Sequence, residues 1–133
     1  SMRTVKMELA GVEYPLCFTL WAFEQVCEKY GDLSLCLEEL DRLWAAHNEM
    51  ETMDSYLGLR AILMQAGYQM DRLRKEPAEE PPRPEVLKHL FAPGDFLSLQ
   101  RTVMEAVTLG VAREVGSEAP KNAPGGEGQA PNG

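Results

Sequence analysis

Histidine is nearly missing from this sequence. His47 and His89 are the only two, in different segments. A zinc site needs four convergent nitrogen or sulfur donors, which these and three scattered cysteines do not supply, so no metal is expected. Cys17, Cys27 and Cys36 are odd in number, each lies in an apolar run, and no C-x-x-C spacing occurs. They read as small core residues in a reducing compartment, not as a disulfide framework or a nucleophile. No apolar run approaches the roughly 18 residues of a membrane span, and a secretory signal pattern is lacking. The expected setting is cytosolic, with no membrane partner. Basic charge is in deficit: 13 Lys and Arg against 21 Asp and Glu give a net charge of −8. Nucleic-acid binders concentrate basic side chains on one face, so no nucleic-acid partner is expected. Glycine-rich phosphate loops and nucleophile elbows are lacking too.

What is present is 44% hydrophobic and 26% charged residues in 133. That suffices for one domain, expected over 3–115, with a continuous core and no need of cofactor or disulfide. Val5, Met7 and Leu9 alternate with Lys6 and Glu8. After Ala10-Gly11, the residues Val12, Tyr14, Leu16 and Phe18 share one face. Period-two alternation on both sides of a glycine turn predicts a β-hairpin. Pro15 cannot donate to a ladder and belongs at an edge or bulge. A lone hairpin is marginal in water, so its apolar face should rest on helices.

Thr19 is a suitable cap for a first helix with Leu20, Phe23, Val26 or Cys27, and Tyr30 as its stripe, ended by Gly31. Asp32 caps a second, with Leu33, Leu37, Leu40 and Trp44 on one side. Residues 48–51 read as a break, and Thr52 as the cap of a third helix over about 53–75. Its apolar arc of Met53, Tyr56, Leu57, Leu59, Ile62, Leu63, Ala66, Met70 and Leu73 predicts a central position. Gly58 and Gly67 within it imply close approach of another backbone, or a kink at Gly67. Residues 76–84 hold four prolines and form an extended connector. A short helix from Pro84 through Phe91 follows, and Pro93-Gly94-Asp95 starts the last. The tail, 116–133, has five glycines, three prolines and no aliphatic residue larger than alanine. It is expected to be disordered. The fold class is therefore mainly α (α+β), an N-terminal β-hairpin on a bundle of about four to five helices.

Two acidic groups, Glu38, Glu39 and Asp41, and Glu49, Glu51 and Asp54, lie on polar helix faces or at a helix start. Catalytic carboxylate pairs depend on burial or mutual repulsion, so these read as solvated surface and no enzyme is expected. The methionines read mostly as core fillers. Trp44 and Met50 differ, because the 45–52 segment is otherwise polar, and an exposed apolar patch there is expected to bind a partner. Apolarity and position make Trp44, Met50, Met53 and Phe96 the candidate partner-binding residues.

The run Gly11-Val12-Glu13-Tyr14-Pro15-Leu16-Cys17-Phe18-Thr19-Leu20-Trp21-Ala22-Phe23-Glu24 resembles the tail assembly chaperones of long-tailed bacteriophages and prophages. The shared pattern is a hairpin of the type G-x-x-Y-x-L-x-F-T followed by helices. Pro84-Glu85-Val86-Leu87, Met104-Glu105-Ala106-Val107 and Gly110 are similar to the family's later part. The proline-rich connector at 77–84 and the polar tail depart from it. The resemblance implies a protein that shields the helical segments of the tape measure protein, with the tail tube protein as a further partner. It also implies self-association and a place in the cytoplasm of the bacterial host. The competing reading is an acidic phage-encoded regulator, or DNA mimic, that occupies a basic protein surface.

Overall fold

Ala10 and Gly11 both take left-handed backbone, with φ of 54° and 82°. Positive φ at both central residues gives the two-residue turn whose twist matches paired antiparallel strands. In the computed structural model, which describes residues 3–112, that turn joins β1 (Thr4–Leu9) to β2 (Val12–Cys17). The register pairs Leu9 with Val12, Met7 with Tyr14 and Val5 with Leu16, so the apolar sets share one face as expected. Counting from the turn, alternation makes Lys6–Pro15 a non-hydrogen-bonded pair, and the missing proline N–H costs the ladder nothing.

Five helices follow: α1 (Leu20–Tyr30), α2 (Leu33–Ala45), α3 (Glu49–Leu73), α4 (Pro84–Leu90) and α5 (Phe96–Val111), the last entered through a 3₁₀ turn at Pro93–Asp95. The chain is thus a mainly helical α+β fold with an N-terminal hairpin. The tail expected over 116–133, and the end of the domain expected over 3–115, lie outside the described residues. Helix α3 is central as its broad apolar arc predicts, packing on β2, α1, α2, α4 and α5. Helix α5 closes over both strands. Tyr56 meets Phe96, Arg60 meets Thr102 and Met70 lies beside Val111, so α3 and α5 run parallel.

Gly67 explains how the hairpin seats on α3. A Cβ there would overlap the Pro15 carbonyl, so the glycine marks backbone contact rather than a kink. Gly58 differs, facing only the tip of the Lys29 side chain. The proline-rich connector carries no helix or strand, as expected.

Four local expectations change. Helix α3 begins at Glu49, not after Thr52. Asn48 is its cap, its Oδ1 accepting from the Glu51 N–H at 3.3 Å while its Nδ2 donates to Glu51 Oε1 at 2.9 Å. Thr52 lies inside the helix and donates to the Asn48 carbonyl at 2.7 Å. The break is the end of α2. His47 has φ of 61°, and the His47 and Asn48 N–H groups bond back to the Trp44 and Leu43 carbonyls, both at 3.0 Å. That is a Schellman stop. Helix α1 is capped by Thr19 as expected, its hydroxyl accepting from the Ala22 N–H at 3.3 Å, yet it buries Ala22 and Val26 and turns Leu20 and Phe23 outward. The helix is apolar on several sides, and the i, i+4 pair with the smallest member allows the closest approach. Leu73, assigned to the α3 arc, is also exposed.

Candidate functional site

Three of the four candidate residues converge at one end of α3. The Schellman stop and the Asn48 cap hold the α2–α3 corner tight, bringing Trp44 at the end of α2 beside Met53 in the first turns of α3. On the other side, the Asp95 carboxylate accepts from the Ala92 N–H at 2.8 Å, fixing the 3₁₀ turn that delivers Phe96. The Trp44 and Phe96 rings stack with centroids 5.3 Å apart and planes 8° from parallel. Phe96 in turn meets Tyr56 edge-on at 5.7 Å, and the Tyr56 hydroxyl accepts from Gln100 Nε2 at 3.3 Å. Tyr56 is thereby a support rather than a contact surface.

The result is a groove of about 220 Å³ lined by Trp44, Glu49, Met53, Pro93 and Phe96. Usual small-molecule pockets run to roughly 300–1,000 Å³, so this one has the size of a single large side chain. Trp44 is 56% exposed despite its stacking partner. Met50, 58% exposed, stands one helical turn before Met53 and does not line the groove. Glu49 is the one ionisable lining residue. Nearby, Arg42 donates to both Glu39 oxygens, at 2.9 and 2.7 Å, and holds that carboxyl below its ordinary range by hydrogen bonding. Asp54 pairs with Lys88 at 3.2 Å.

Of the three free cysteines, Cys17 and Cys36 are buried and Cys27 is half-buried. Burial pushes the Cys36 thiol up to about 11, with the Lys29 ammonium opposing weakly. Among the described residues no group of three or more His, Cys, Asp or Glu side chains could hold a metal ion. No helix among them is long and apolar enough to cross a membrane. An aromatic floor, a thioether wall, a proline and one carboxylate can receive an apolar side chain and steer a cation beside it.

A second apolar surface lies at the opposite end of α3, where Leu20, Trp21, Phe23, Met70, Leu73 and Val111 surround Thr19. The sequence reading missed it because Leu20, Phe23, Met70 and Leu73 fit core stripes. The available signal was the unbroken apolar run Leu20-Trp21-Ala22-Phe23, too wide for one buried helix face. No family model matches the chain, no curated protein sequence is similar to it, and no solved structure matches it.

Proposed function

We propose that the chain is a tail assembly chaperone of a long-tailed phage or prophage, a protein-binding module without catalytic activity. In this reading the Trp44–Phe96 groove takes apolar side chains from helical segments of the tape measure protein in the bacterial cytoplasm, keeping them soluble until tail-tube subunits polymerise. Self-association along the extended client belongs to the same reading. The observation that carries it is the exposed groove of Trp44, Met53 and Phe96, built on rigid helix ends. Stacked aromatics give a firm floor, and the flexible thioether adapts to varied side chains, which suits modest selectivity among amphipathic helices. The hairpin and helix that carry the family resemblance occupy the expected order in the fold. The DNA-mimic alternative draws no support from Glu39 and Asp54, since each is already paired with a cation of the same chain.

The test is co-expression with tape measure fragments encoded in the same gene neighbourhood, followed by affinity measurement on the purified pair. The expected result is a gain in fragment solubility. Trp44→Ala should weaken binding about thirtyfold, a hot-spot loss of roughly 2 kcal/mol. Absence of both binding and solubility gain defeats the proposal.

A further inference from the structure

We propose that the outer edge of β1 pairs antiparallel with the same edge of a second copy, joining two hairpins into one continuous sheet. The turn fixes which backbone groups point where. Leu9 and Val12 beside it exchange ladder hydrogen bonds, so alternation turns the N–H and C=O groups of Lys6 and Glu8 away from β2. The sheet ends at β1, and among the described residues nothing bonds to those outward groups. The edge of β2 is closed by contrast. Pro15 offers no N–H there, and its carbonyl lies against Gly67 of α3. With one edge open and the other closed, pairing stops at two copies and cannot grow into a fibre.

The open margin continues onto the core face. Val5 and Met7 of β1 are half-buried, while Leu16 and Tyr14 opposite them on β2 are buried. A second β1 laid alongside sets its own Val5, Met7 and Leu9 against that margin. Its outward N–H and C=O groups meet those of Lys6 and Glu8, so donors and acceptors on both edges are used.

Charge selects the occupant and its register. Lys6 and Glu8 are exposed on the same face, and neither has an ion-pair partner among the described residues. Facing side chains must share a side of the sheet, so symmetric pairing advances in whole-residue steps of its centre. A centre at Lys6 sets two lysines opposite each other, and a centre at Glu8 sets two glutamates so. A centre at Met7 sets Lys6 opposite Glu8 of the second copy, twice over. Lysine on an edge ordinarily blocks strand addition; in this register a glutamate answers it. Glu8 already faces Glu13 across the hairpin, and a lysine on its other side offsets that repulsion. Other charges reach the hairpin elsewhere. Arg3 precedes β1 and donates to the Ala112 carbonyl at 2.7 Å, Arg60 meets Met7 from the core side, and the Glu79 charge acts on Tyr14 of β2. An unrelated strand has no reason to carry the matching pattern, whereas a second copy always does. The pairing gives the self-association in the functional reading a surface of its own, and it rests on the hairpin, not on the client.

The experiment uses the full chain. Sedimentation equilibrium from about 5 µM to about 0.5 mM should show a reversible dimer, half formed at roughly 10–100 µM. Amide exchange at Lys6 and Glu8, followed by NMR, should slow as concentration rises. Lys6→Glu alone, or Glu8→Lys alone, sets like charges opposite each other in both rows and should weaken the dimer about tenfold. Mixing the two variants, or placing both changes in one chain, restores opposite charges and should return affinity to within about threefold of the original. Thermal melts of each variant report that the fold is retained. A chain that stays monomeric to about 0.5 mM overturns the proposal. So does a dimer indifferent to both single changes, or one that the charge swap does not restore. Capture of an unrelated strand at the same amides, with the chain itself monomeric, defeats it as well. Failure of the tape measure experiment leaves these outcomes untouched, because no client is present in them.

Discussion

Arg60 is wholly out of water on the central helix, and among the described residues it has no ion-pair partner. Its guanidinium contacts Met7 Sδ, donates to Thr102 Oγ1 at 2.5 Å and faces the Phe91 ring at 5.1 Å, leaving the Nε–H without a partner. Burial pulls its pKa down to about 10. A cation–π contact of about 0.5–2 kcal/mol and hydrogen bonds of about 1 kcal/mol do not offset a desolvation cost of several kcal/mol. Arg60→Met should therefore stabilise the fold by about 1–3 kcal/mol, seen as a higher urea midpoint at unchanged slope. Thr102 loses little, because its hydroxyl also donates to the Ser98 carbonyl at 3.0 Å. A lower midpoint would mean that the ring and thioether contacts outweigh desolvation. The burial of Arg60 was not legible in advance, since arginine is rarely buried unpaired. Its helical neighbours Tyr56, Leu57 and Leu63 belong to the expected apolar arc, which left the arginine out. Trp44 and Met50 stood out as large apolar residues beside the polar 45–52 segment, yet only Trp44 lines the groove; Met53 and Phe96 were chosen on apolarity and position alone. The stacking of Trp44 on Phe96 was not legible.

Helix by helix, propensity and contact compete, and α3 holds a matched test. Gly58 and Gly67 each cost about 1 kcal/mol relative to alanine in a helix. At Gly58 a Cβ would meet only the mobile Lys29 Nζ, at 3.2 Å. Gly58→Ala should raise stability by about 0.5–1 kcal/mol. At Gly67 the obstacle is the Pro15 carbonyl, part of a paired strand that cannot step aside. Gly67→Ala should cost about 2–4 kcal/mol and lift the hairpin off α3, measurable as faster amide exchange in β2. The same substitution nine residues apart thus gives opposite signs. The hairpin was readable because alternation, a glycine turn and strand length agree with one another. The start of α3 was not, since Asn48 and Thr52 are both good caps four residues apart. Asn48 won because it also completes the stop of α2 and because Glu51 reciprocates its hydrogen bond. The orientation of α1 escaped for a different reason: an apolar run has no unique buried face until its neighbours choose one.

For the whole molecule, the buried thiol sets an alkaline limit. Cys36 has its pKa raised from 9.0 to about 11 by burial, so between those values the native state holds a proton that the unfolded chain has lost. Stability is complete below pH 9 and falls as pH rises through 11, by about 2–3 kcal/mol from this group. Arg60 acts oppositely from about 10 upward, because between its lowered value and the ordinary arginine range the unfolded chain binds the extra proton. Urea titrations at pH 8, 9, 10 and 11 should show the decline beginning near 9, and Cys36→Ala, from a lower baseline, should flatten it. An equal decline in the variant would assign the loss to other groups. The parallel pairing of α3 with α5 also fixes a sequence of events. Phe18 is covered by Gly110 near the end of α5, so in synthesis from the N-terminus the hairpin leaves the ribosome roughly ninety residues ahead of its cover. At about 5–20 residues per second that is a wait of roughly 5–20 s. For that interval the side of the nascent ribbon that α5 later covers stays open to solvent, which leaves it prone to association with other unfinished chains.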